Sequence, residues 1–482
     1  MRTMSRRRAL QLGGMGMAAT MLGGCGPPSA DGSRFSPVPG QALAEPPVLR
    51  SSGGLLQVRL EAAESRVPIA GRDAGTLAYN GSLPGPTLHV RPGDRLRIEL
   101  VNRLTEPTNL HVHGLHVSPQ GNGDNAFVVV DPGASFGYEH HLPVDHPPGV
   151  YWYHPHHHGL VADQIFGGLY GAIVVDDPTP VPVTHARLLV VSDITLDGSG
   201  QVLQPSPMVQ MLGREGELVL VNGQTGPRLQ ARPGARERWR IVNACTARYL
   251  RLRLDGQQVQ LLGLDSGRSA TPQDVDELVL TTGNRADLLV TTATGTSELR
   301  TLPYDRGDMG MMGGMPGMAD GAPGRGTGEP LTLATLEVTG SAAAPLPPVP
   351  AQPAARDLRA ETVTAHRELT FAMGMGGPGG MSFTIDGRQF DPDRIDQAVQ
   401  PGAVEEWTLV NTSPMDHPMH LHVWPMQIVD DAATPTGRDV VNIPARKSVR
   451  VRIAFDDYTG RTVFHCHILD HEDRGMMGVL QV

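Results

Sequence analysis

The sequence contains little cysteine, little lysine and few aromatic residues. Among its 482 residues are 3 cysteines, and aromatic side chains make up 4% of the chain. Three scattered cysteines cannot form the dense disulfide framework that stabilises small secreted domains, so hydrophobic cores must provide the stability. Because aromatic residues are scarce, we expect those cores to consist mainly of valine, leucine, isoleucine and alanine.

Positive charge and long apolar runs are also lacking. The formal net charge is −10, and Lys447 is the only lysine. This acidic balance disfavours nucleic acid as a partner and provides no basic face for a membrane surface. No stretch is apolar for long enough to form a permanent transmembrane helix. The abundant glycine and proline, 58 and 42 residues, are typical of short strands joined by tight turns, which favours an all-β protein.

The N-terminal segment resembles an export signal. The motif SRRRAL at 5–10 precedes an apolar run of small residues, as in twin-arginine signals, and an ordinary basic signal region is the alternative. LGGC at 22–25 resembles a bacterial lipobox, in which Cys25 carries a lipid; a chance cysteine is the alternative. We predict an export signal with lipobox over 1–25 and a linker over 26–50. The protein is then periplasmic or on the cell surface, attached to the membrane only through Cys25.

One sequence pattern occurs three times. Each copy contains Asn-Gly or Asp-Gly, then Pro-Gly, then an alternating apolar run that ends in Val-Asn. The copies end at Asn102, Asn243 and Asn411. An alternating run after a tight turn predicts a half-buried strand. Three such widely spaced copies predict three related β domains rather than a solenoid.

The segment after each repeat carries histidines in the outer copies only. Nine residues after the asparagine, the first copy has His111 of HVH, the third has His420 of HLH, and the second has Leu252. Alternate residues of a strand share a face, so each outer domain presents a histidine pair. A second pair follows at nearly equal spacing in both outer domains. Such duplication indicates a metal site, for which copper, zinc, iron and nickel are candidates. The eight histidines are His111, His113, His154, His156, His420, His422, His465 and His467.

The stretch HCHILDHEDRGMMG at 465–478 favours copper. Cys466 offers a thiolate, His471 an imidazole and Met476 a thioether, and His417 precedes the HLH pair by three residues. Two histidines, one cysteine and an axial methionine are the ligand set of a blue-copper electron-transfer centre, whereas zinc–cysteine sites more usually contain CxxC pairs. Strand alternation turns the histidines beside Cys466 to the opposite face. An electron at the cysteine would therefore have a short covalent path to metals on that face.

The motifs HVHG, WYHPH, HPMHLH and HCHILDHEDRGMM, in this order, resemble the three-domain multicopper oxidases. Bacterial laccases and the cuprous oxidases of copper-efflux systems are the most similar groups, and the resemblance extends from about Leu55 to Val482. It implies three cupredoxin-like Greek-key β-barrels, a trinuclear copper cluster between the outer domains and a blue copper in the third. We assign the domains to 51–180, 181–340 and 361–482, with a linker over 341–360 and no copper ligands in the second domain.

The resemblance also implies four coppers per chain and assigns their ligands. The implied ligands are His111 and His420 for the type 2 copper, His113, His154 and His467 for one type 3 copper, His156, His422 and His465 for the other, and His417, Cys466, His471 and Met476 for the type 1 copper. Reduction of O2 to water consumes protons, so carboxylates are expected nearby. Glu472 matches the proton-relay acid of the family, and Asp124 resembles a second one. A turn-forming role is the alternative for Asp124.

Methionine-rich segments bear on the electron donor. Thioethers favour Cu(I), so these segments suggest a copper-collecting surface near the type 1 site, and a low-complexity insert without a role is the alternative. Ser413 stands where cuprous oxidases have an aspartate, for which Asp416 is a candidate substitute. The candidate substrate-copper residues are Met309, Met311, Met312, Met315 and Met318 of the loop 309–318, with Met373, Met375, Met381 and Met415.

The expected function is oxidation of a donor at the type 1 copper with reduction of O2 to water, by a monomer. The donor is Cu(I), or phenols and aromatic amines as in a laccase. A different class remains, because some exported relatives keep this fold without copper and act as structural or cell-division proteins. That alternative requires missing ligands, whereas all twelve are present here.

Overall fold

The structure is a computed structural model that describes residues 35–307, 328–353, 355–375, 381–430 and 436–482. Six β-sheets form most of this part of the chain. The predicted export signal, Cys25 and the loop 309–318 lie outside the described residues. Within the described ranges, no helix has the length and apolar character needed to cross a membrane.

The first domain contains nine strands and one helix. They are β1 (Val48–Arg50), β2 (Leu55–Ile69), β3 (Arg72–Tyr79), β4 (Thr87–Val90), β5 (Arg95–Asn102), β6 (His111–His113), β7 (Ser135–His141), β8 (Gly149–His154), α1 (Val161–Gly167) and β9 (Gly171–Val175). The strand order is β3-β2-β5-β7 in one sheet and β1-β4-β9-β8-β6 in the other. Aliphatic and tyrosine side chains from both sheets form one buried core between them.

The second domain has the same two-sheet arrangement. Its elements are β10 (His185–Ile194), α2 (Pro207–Leu212), β11 (Leu218–Val221), β12 (Arg228–Ala231), β13 (Arg236–Asn243), β14 (Leu250–Leu254), β15 (Gln258–Leu264), β16 (Gly267–Asp274), β17 (Leu278–Leu280), β18 (Arg285–Thr291), β19 (Gly295–Leu302) and β20 (Leu331–Val338). The sheets have the orders β11-β10-β13-β18-β15-β16 and β12-β20-β19-β14-β17. Cys245 is buried in the core between them.

The third domain repeats the arrangement again. After a 3-10 helix at Leu358–Ala360 come β21 (Ala365–Met375), β22 (Met381–Ile385), β23 (Gln397–Ala398), β24 (Val404–Asn411), β25 (His417–Leu421), β26 (Met426–Ile428), β27 (Val440–Ile443), β28 (Ser448–Ala454), β29 (Arg461–Cys466), α3 (Leu469–Asp473) and β30 (Met477–Gln481). Their sheets have the orders β22-β21-β24-β28-β26 and β23-β30-β29-β25-β27. The prediction of three all-β domains is confirmed.

The three repeated asparagines explain why the domains place equivalent strands alike. Asn102, Asn243 and Asn411 end β5, β13 and β24, each of which pairs in parallel with an earlier strand of its domain. Each side-chain oxygen accepts the backbone N–H two residues on, at 2.9–3.1 Å. Each side-chain amide donates to backbone carbonyls further along the chain. These bonds close the turn and hold the following strand, which is β6, β14 or β25, in an equivalent place.

The C-terminal part of the predicted linker over 26–50 pairs with strands of two domains. Val48–Arg50 form β1, which pairs in parallel with β4. Ala42 forms a β-bridge to Arg228 of the second domain, and the N–H of Leu43 donates to the Arg228 carbonyl at 2.9 Å. The proline- and alanine-rich composition suggested a tether, but the N–H groups that pair here belong to non-proline residues such as Leu43.

Candidate copper centre

Two pairs of strands, one in each outer domain, carry the histidines and face each other. In the first domain, β6 pairs with β8 and His111 lies opposite His154. In the third domain, β25 pairs with β29 and His420 lies opposite His465. The corresponding strand of the second domain, β14, places Leu252 in the hydrophobic core. The outer domains therefore supply both walls of the site.

The structure brings all eight histidines of the four pairs together. Each is at most 2% exposed. Ring nitrogens approach one another closely at four places: His111 Nε2 to His420 Nε2 at 3.3 Å, His156 Nε2 to His465 Nε2 at 3.1 Å, His422 Nε2 to His465 Nε2 at 3.3 Å, and His113 Nδ1 to His154 Nε2 at 3.4 Å. Groups of three ligand atoms within 4.8 Å overlap through His111 and His422, as expected for ions held side by side.

Hydrogen bonds on the far side of several rings select the nitrogen that faces inward. The Nδ1 of His111 lies 2.9 Å from both oxygens of Asp124, and the Nδ1 of His420 lies 2.7 Å from the Asp439 carbonyl. Donation from Nδ1 leaves the lone pair of a neutral ring on Nε2. His113 has the opposite arrangement, since its Nε2 lies 3.0 Å from the Asp439 carboxylate and its Nδ1 faces inward.

The histidine ring nitrogens are arranged for binding metal ions rather than for hydrogen-bonding to one another. Burial lowers the pKa of all eight imidazoles, to about 4 for His156 and His465, so the rings are neutral at pH 7. Neutral rings that meet nitrogen to nitrogen cannot all hydrogen-bond. Among the described residues, neither ring nitrogen of the buried His467 has a hydrogen-bond partner. Buried lone pairs without donors are satisfied by a cation, and imidazole suits copper.

A second candidate site lies on the other side of β29. The Cys466 Sγ lies 3.4 Å from His417 Nδ1 and 3.9 Å from His471 Nδ1, and it accepts the N–H of Ile468 at 3.4 Å. Met476 is fully buried in the same core, and its carbonyl accepts the N–H of Cys466 at 3.0 Å. Burial raises the pKa of the Cys466 thiol well above its usual value, so a bound cation is needed to stabilise the thiolate.

Glu472 and Asp124 both border the histidine cluster. Glu472 is fully buried, with Oε2 3.0 Å from His465 Nδ1 and Oε1 3.4 Å from His156 Nε2, but neither contact has hydrogen-bond geometry. Asp124 also accepts the Val112 N–H at 3.1 Å. Burial raises the pKa of each carboxyl to about 7. Both acids can therefore hold and release a proton near neutral pH.

The methionine candidates are only partly described. Met373 and Met381 are half-buried against the core of the third domain, and Met415 is fully buried. Met375 lies in β21, and the five methionines of the loop 309–318 lie outside the described residues.

The two residues considered for the missing aspartate are already engaged. The Ser413 hydroxyl lies 2.8 Å from the Nε2 of His417, where it fixes that ring. The Asp416 carboxylate accepts hydrogen bonds from Tyr304, Asn442 and Ala445 at 2.8–3.0 Å. Structural hydrogen bonds therefore engage both Asp416 oxygens.

Sequence reasoning missed the cover over the Cys466 site. The Nε2 of His471 lies 3.0 Å from the carbonyl of Met211 in α2, and Phe383 stacks on the His471 ring at 4.7 Å between centroids. Helix α2, with its sequence PMVQML, comes from the second domain and carries Met211 and the half-exposed Met208. Two methionines in so short a helix were the only sequence signal, and nothing local connected them with His471.

Buried histidines around one cysteine and a larger histidine cluster, on three cupredoxin-like Greek-key β-barrels, define a copper protein. Family models described as multicopper oxidase match residues 61–180, 151–298 and 357–482. The chain belongs to the multicopper oxidase family, whose members use O2 and a substrate electron donor.

Individual relatives cover most of the chain. A multicopper oxidase from Campylobacter jejuni, described as a metallo-oxidase, is 30% identical with a TM-score of 0.81, covering 94% of this chain and 97% of its own. Multicopper oxidase mco of Staphylococcus haemolyticus (strain JCSC1435) is 28% identical over 85% of this chain and 84% of its own. The cell division protein FtsP of Sodalis glossinidius (strain morsitans) is 30% identical over 86% of this chain and 83% of its own.

Proposed function

We propose that this protein is an oxidase with four coppers that takes electrons at a type 1 site and reduces O2 to water at a trinuclear site. One observation carries the proposal: Cys466 lies between His465 and His467 in the chain. The sulfur faces His417 and His471, whereas the two adjacent rings join the cluster of eight histidines. A protein that only stored copper would have no need for this covalent connection between the two sites.

The proposed ligand sets follow the geometry and the family resemblance together. His417, Cys466, His471 and Met476 hold the type 1 copper, and the eight cluster histidines hold the type 2 copper and the type 3 pair. Bound copper supplies one-electron redox chemistry at the first site and reduction of O2 at the second. The chain contributes oriented, neutral imidazoles in a site from which bulk water is excluded.

Glu472 and Asp124 are the proposed proton donors. Reduction of O2 to water requires four protons, and both acids lie beside the cluster histidines with a pKa of about 7. Glu472 borders His156 and His465, and Asp124 borders His111. The carboxyl groups hold the protons at their oxygens and release them on that side of the cluster.

The proposed donor is Cu(I), and phenols or aromatic amines are the second candidate. Helix α2 covers the Nε2 of His471 through the Met211 carbonyl, so a bulky aromatic donor has less access to this ring than a metal ion has. Met211, Met373 and Met381 all pack against the core that contains Cys466 and Met476. Their soft thioethers favour Cu(I). The Campylobacter relative is described as a metallo-oxidase, which supports the same choice.

A role without catalysis is the third candidate, since FtsP proteins are among the relatives. The presence and burial of all twelve proposed ligands argue against it. For location, we propose export through the signal at 1–25 and attachment to the membrane through a lipid on Cys25. A monomer remains the proposed state.

Oxygen uptake by the copper-loaded protein tests this proposal, with Cu(I) and a simple diphenol compared as donors. We expect uptake with both and a higher rate with Cu(I). A higher rate with the diphenol would make the protein a laccase. Absence of uptake with either donor would overturn the oxidase function.

A further inference from the structure

We propose that the segment 282–285 of the second domain, which ends at the first residue of β18, positions the histidines of the trinuclear site, although that domain supplies none of its ligands. Arg285 is the main positioning residue, and it acts on His113 through Asp439. The inference rests on the trinuclear site of the proposed function and assigns a further role to the middle domain.

Arg285 and Asp439 form a buried ion pair between the second and third domains. The Arg285 side chain is 0% exposed and the Asp439 side chain is 5% exposed. The guanidinium donates to both carboxylate oxygens, with Nη2 2.6 Å from Oδ2 and Nη1 in contact with Oδ1. Such a two-point contact fixes the plane of the carboxylate as well as its position.

The same carboxylate orients a cluster histidine of the first domain. The Asp439 Oδ1 lies 3.0 Å from the Nε2 of His113. A donor N–H at Nε2 leaves the lone pair on Nδ1, which faces His154 Nε2 at 3.4 Å. The backbone carbonyl of Asp439 also accepts from the Nδ1 of His420 at 2.7 Å. One residue held by Arg285 therefore orients rings from both walls of the cluster.

Two hydrogen bonds and one aromatic contact also hold Arg285 in place. Its Nε donates to the Val150 carbonyl of the first domain at 3.2 Å, and its guanidinium lies 5.5 Å from the Tyr151 ring centre. Its backbone N–H donates to Asp265 at 3.0 Å. Arg285 thus contacts residues of all three domains, and its guanidinium has little freedom to move.

The preceding loop residues approach the cluster directly. The Thr282 hydroxyl donates to the carbonyl of His467 at 2.6 Å. Gly283 has φ +83°, and a side chain there would place its Cβ 2.8 Å from His467 Nε2 and 3.0 Å from His113 Cε1. The Asn284 amide donates to the Val440 carbonyl at 3.3 Å. Glycine at 283 thus leaves the room that the rings of His467 and His113 occupy.

The simpler explanation is that Arg285 only holds the domains together. A structural bridge would lower overall stability and affect both copper sites alike. A positioning residue changes the trinuclear site and leaves the type 1 site, which lies on the other face of β29, unchanged. Spectra of the type 1 and trinuclear sites therefore distinguish the two explanations.

The test compares Arg285→Met with Arg238→Met in the full chain. Arg238 is a matched control, since it is also a buried arginine of the second domain, paired with Asp287 and Asp177 away from the cluster. The measurements are copper content, blue absorption, type 3 absorption and the electron paramagnetic resonance signal of the type 2 copper.

For Arg285→Met we expect retained blue absorption, an altered type 2 signal and a loss of about 10- to 100-fold in copper affinity at the trinuclear site. Arg285→Lys should recover part of that loss, because it restores the charge but not the two-point contact. Unchanged trinuclear signals in Arg285→Met, or equal changes in Arg238→Met, would overturn the inference.

If Arg285→Met does not fold, Thr282→Val provides an independent test. It removes the hydroxyl that bonds to His467 and keeps the side-chain shape. Thr292→Val is its control, because Thr292 donates to the Arg232 carbonyl at 2.6 Å away from the cluster. We expect altered type 3 absorption only in Thr282→Val, and its absence would overturn the inference. A wild-type chain that binds one copper only would instead overturn the proposed function itself, and this inference with it.

Discussion

His420 and His465 lie directly opposite each other on β25 and β29, and the same register places Met419 opposite Cys466. Side chains alternate along a strand, so the two histidines point to the cluster between the domains and Cys466 points into the third domain. The two candidate copper sites are therefore back to back on one pair of strands. A slip of one residue in the register would exchange their faces.

Glu472→Gln should slow O2 reduction without removing copper. The amide keeps the shape of the buried side chain but cannot release a proton, and general acid catalysis contributes about 10²- to 10⁴-fold. We expect oxygen uptake to fall within that range with unchanged copper content. Asp470→Asn is the control, because Asp470 lies on the same helix but pairs with Arg214. Undiminished uptake by Glu472→Gln would contradict the proton-donor role.

Substitutions at Asp124 separate its two proposed effects. Asp124→Asn keeps an acceptor for the Nδ1 of His111 but loses the acid, so we expect copper to stay bound and oxygen uptake to fall. Asp124→Ala also removes the acceptor, and we expect about a 10- to 100-fold loss of copper affinity. Copper titration measures the affinity of each variant, and oxygen uptake measures its activity. Equal copper affinity in the two variants would contradict the orienting role.

The methionines of the loop 309–318 should contribute more to the rate of oxidation of Cu(I) than to that of a diphenol. Replacing all five with leucine keeps the loop length and its apolar character but removes the thioethers, which are the groups that bind Cu(I). We expect a larger loss of rate with Cu(I) than with a diphenol, measured as oxygen uptake. Equal losses would mean that the loop has only a structural role.

Stability in acid should depend on Asp287. Burial alone would raise its pKa, but Arg238 and the nearby Arg240 and Arg268 outweigh burial and lower the pKa well below its usual value. An acid with a lowered pKa in the folded state stabilises the fold above its unfolded pKa of about 3.9, and this contribution is lost as the pH falls.

Asp287→Asn should therefore destabilise the protein by about 3–5 kcal/mol at neutral pH, since it leaves buried arginines without their partner. The difference from the wild type should shrink as the pH falls below about 4. Urea unfolding of the variant and the wild type at several pH values measures this difference in unfolding free energy. Asp255→Asn is the control, because its side chain is 43% exposed and an exposed pair contributes at most about 1 kcal/mol. A difference that is constant with pH would contradict the assignment.

Much of the fold was predictable because its signals are local. Each repeat combines a turn, an alternating strand and an asparagine whose side chain closes the next turn, and these bonds lie within a few residues of Asn102, Asn243 and Asn411. Histidine spacing then indicated which domains face the cluster. The strand at Val48–Arg50, inside the predicted linker over 26–50, was not predicted, since its pairing depends on β4, far along the chain.

The contributions of the second domain to the site were not predictable. Arg285 meets Asp439 across 154 positions, and Met211 meets His471 across 260. No periodicity or spacing connects residues so distant, and an isolated arginine or methionine in an otherwise ordinary segment has no distinctive pattern. Only the packing of the three domains brings these residues to the copper sites.

We propose that Cys466 connects the electron-accepting site to the site of O2 reduction, and the variant Cys466→Ser tests this connection. Copper content, blue absorption and oxygen uptake are measured together on the loaded variant and the wild type. We expect loss of the blue colour and of oxygen uptake with either donor, while the coppers of the trinuclear site remain bound. A variant that stays blue, or that consumes O2 at the wild-type rate, would contradict it.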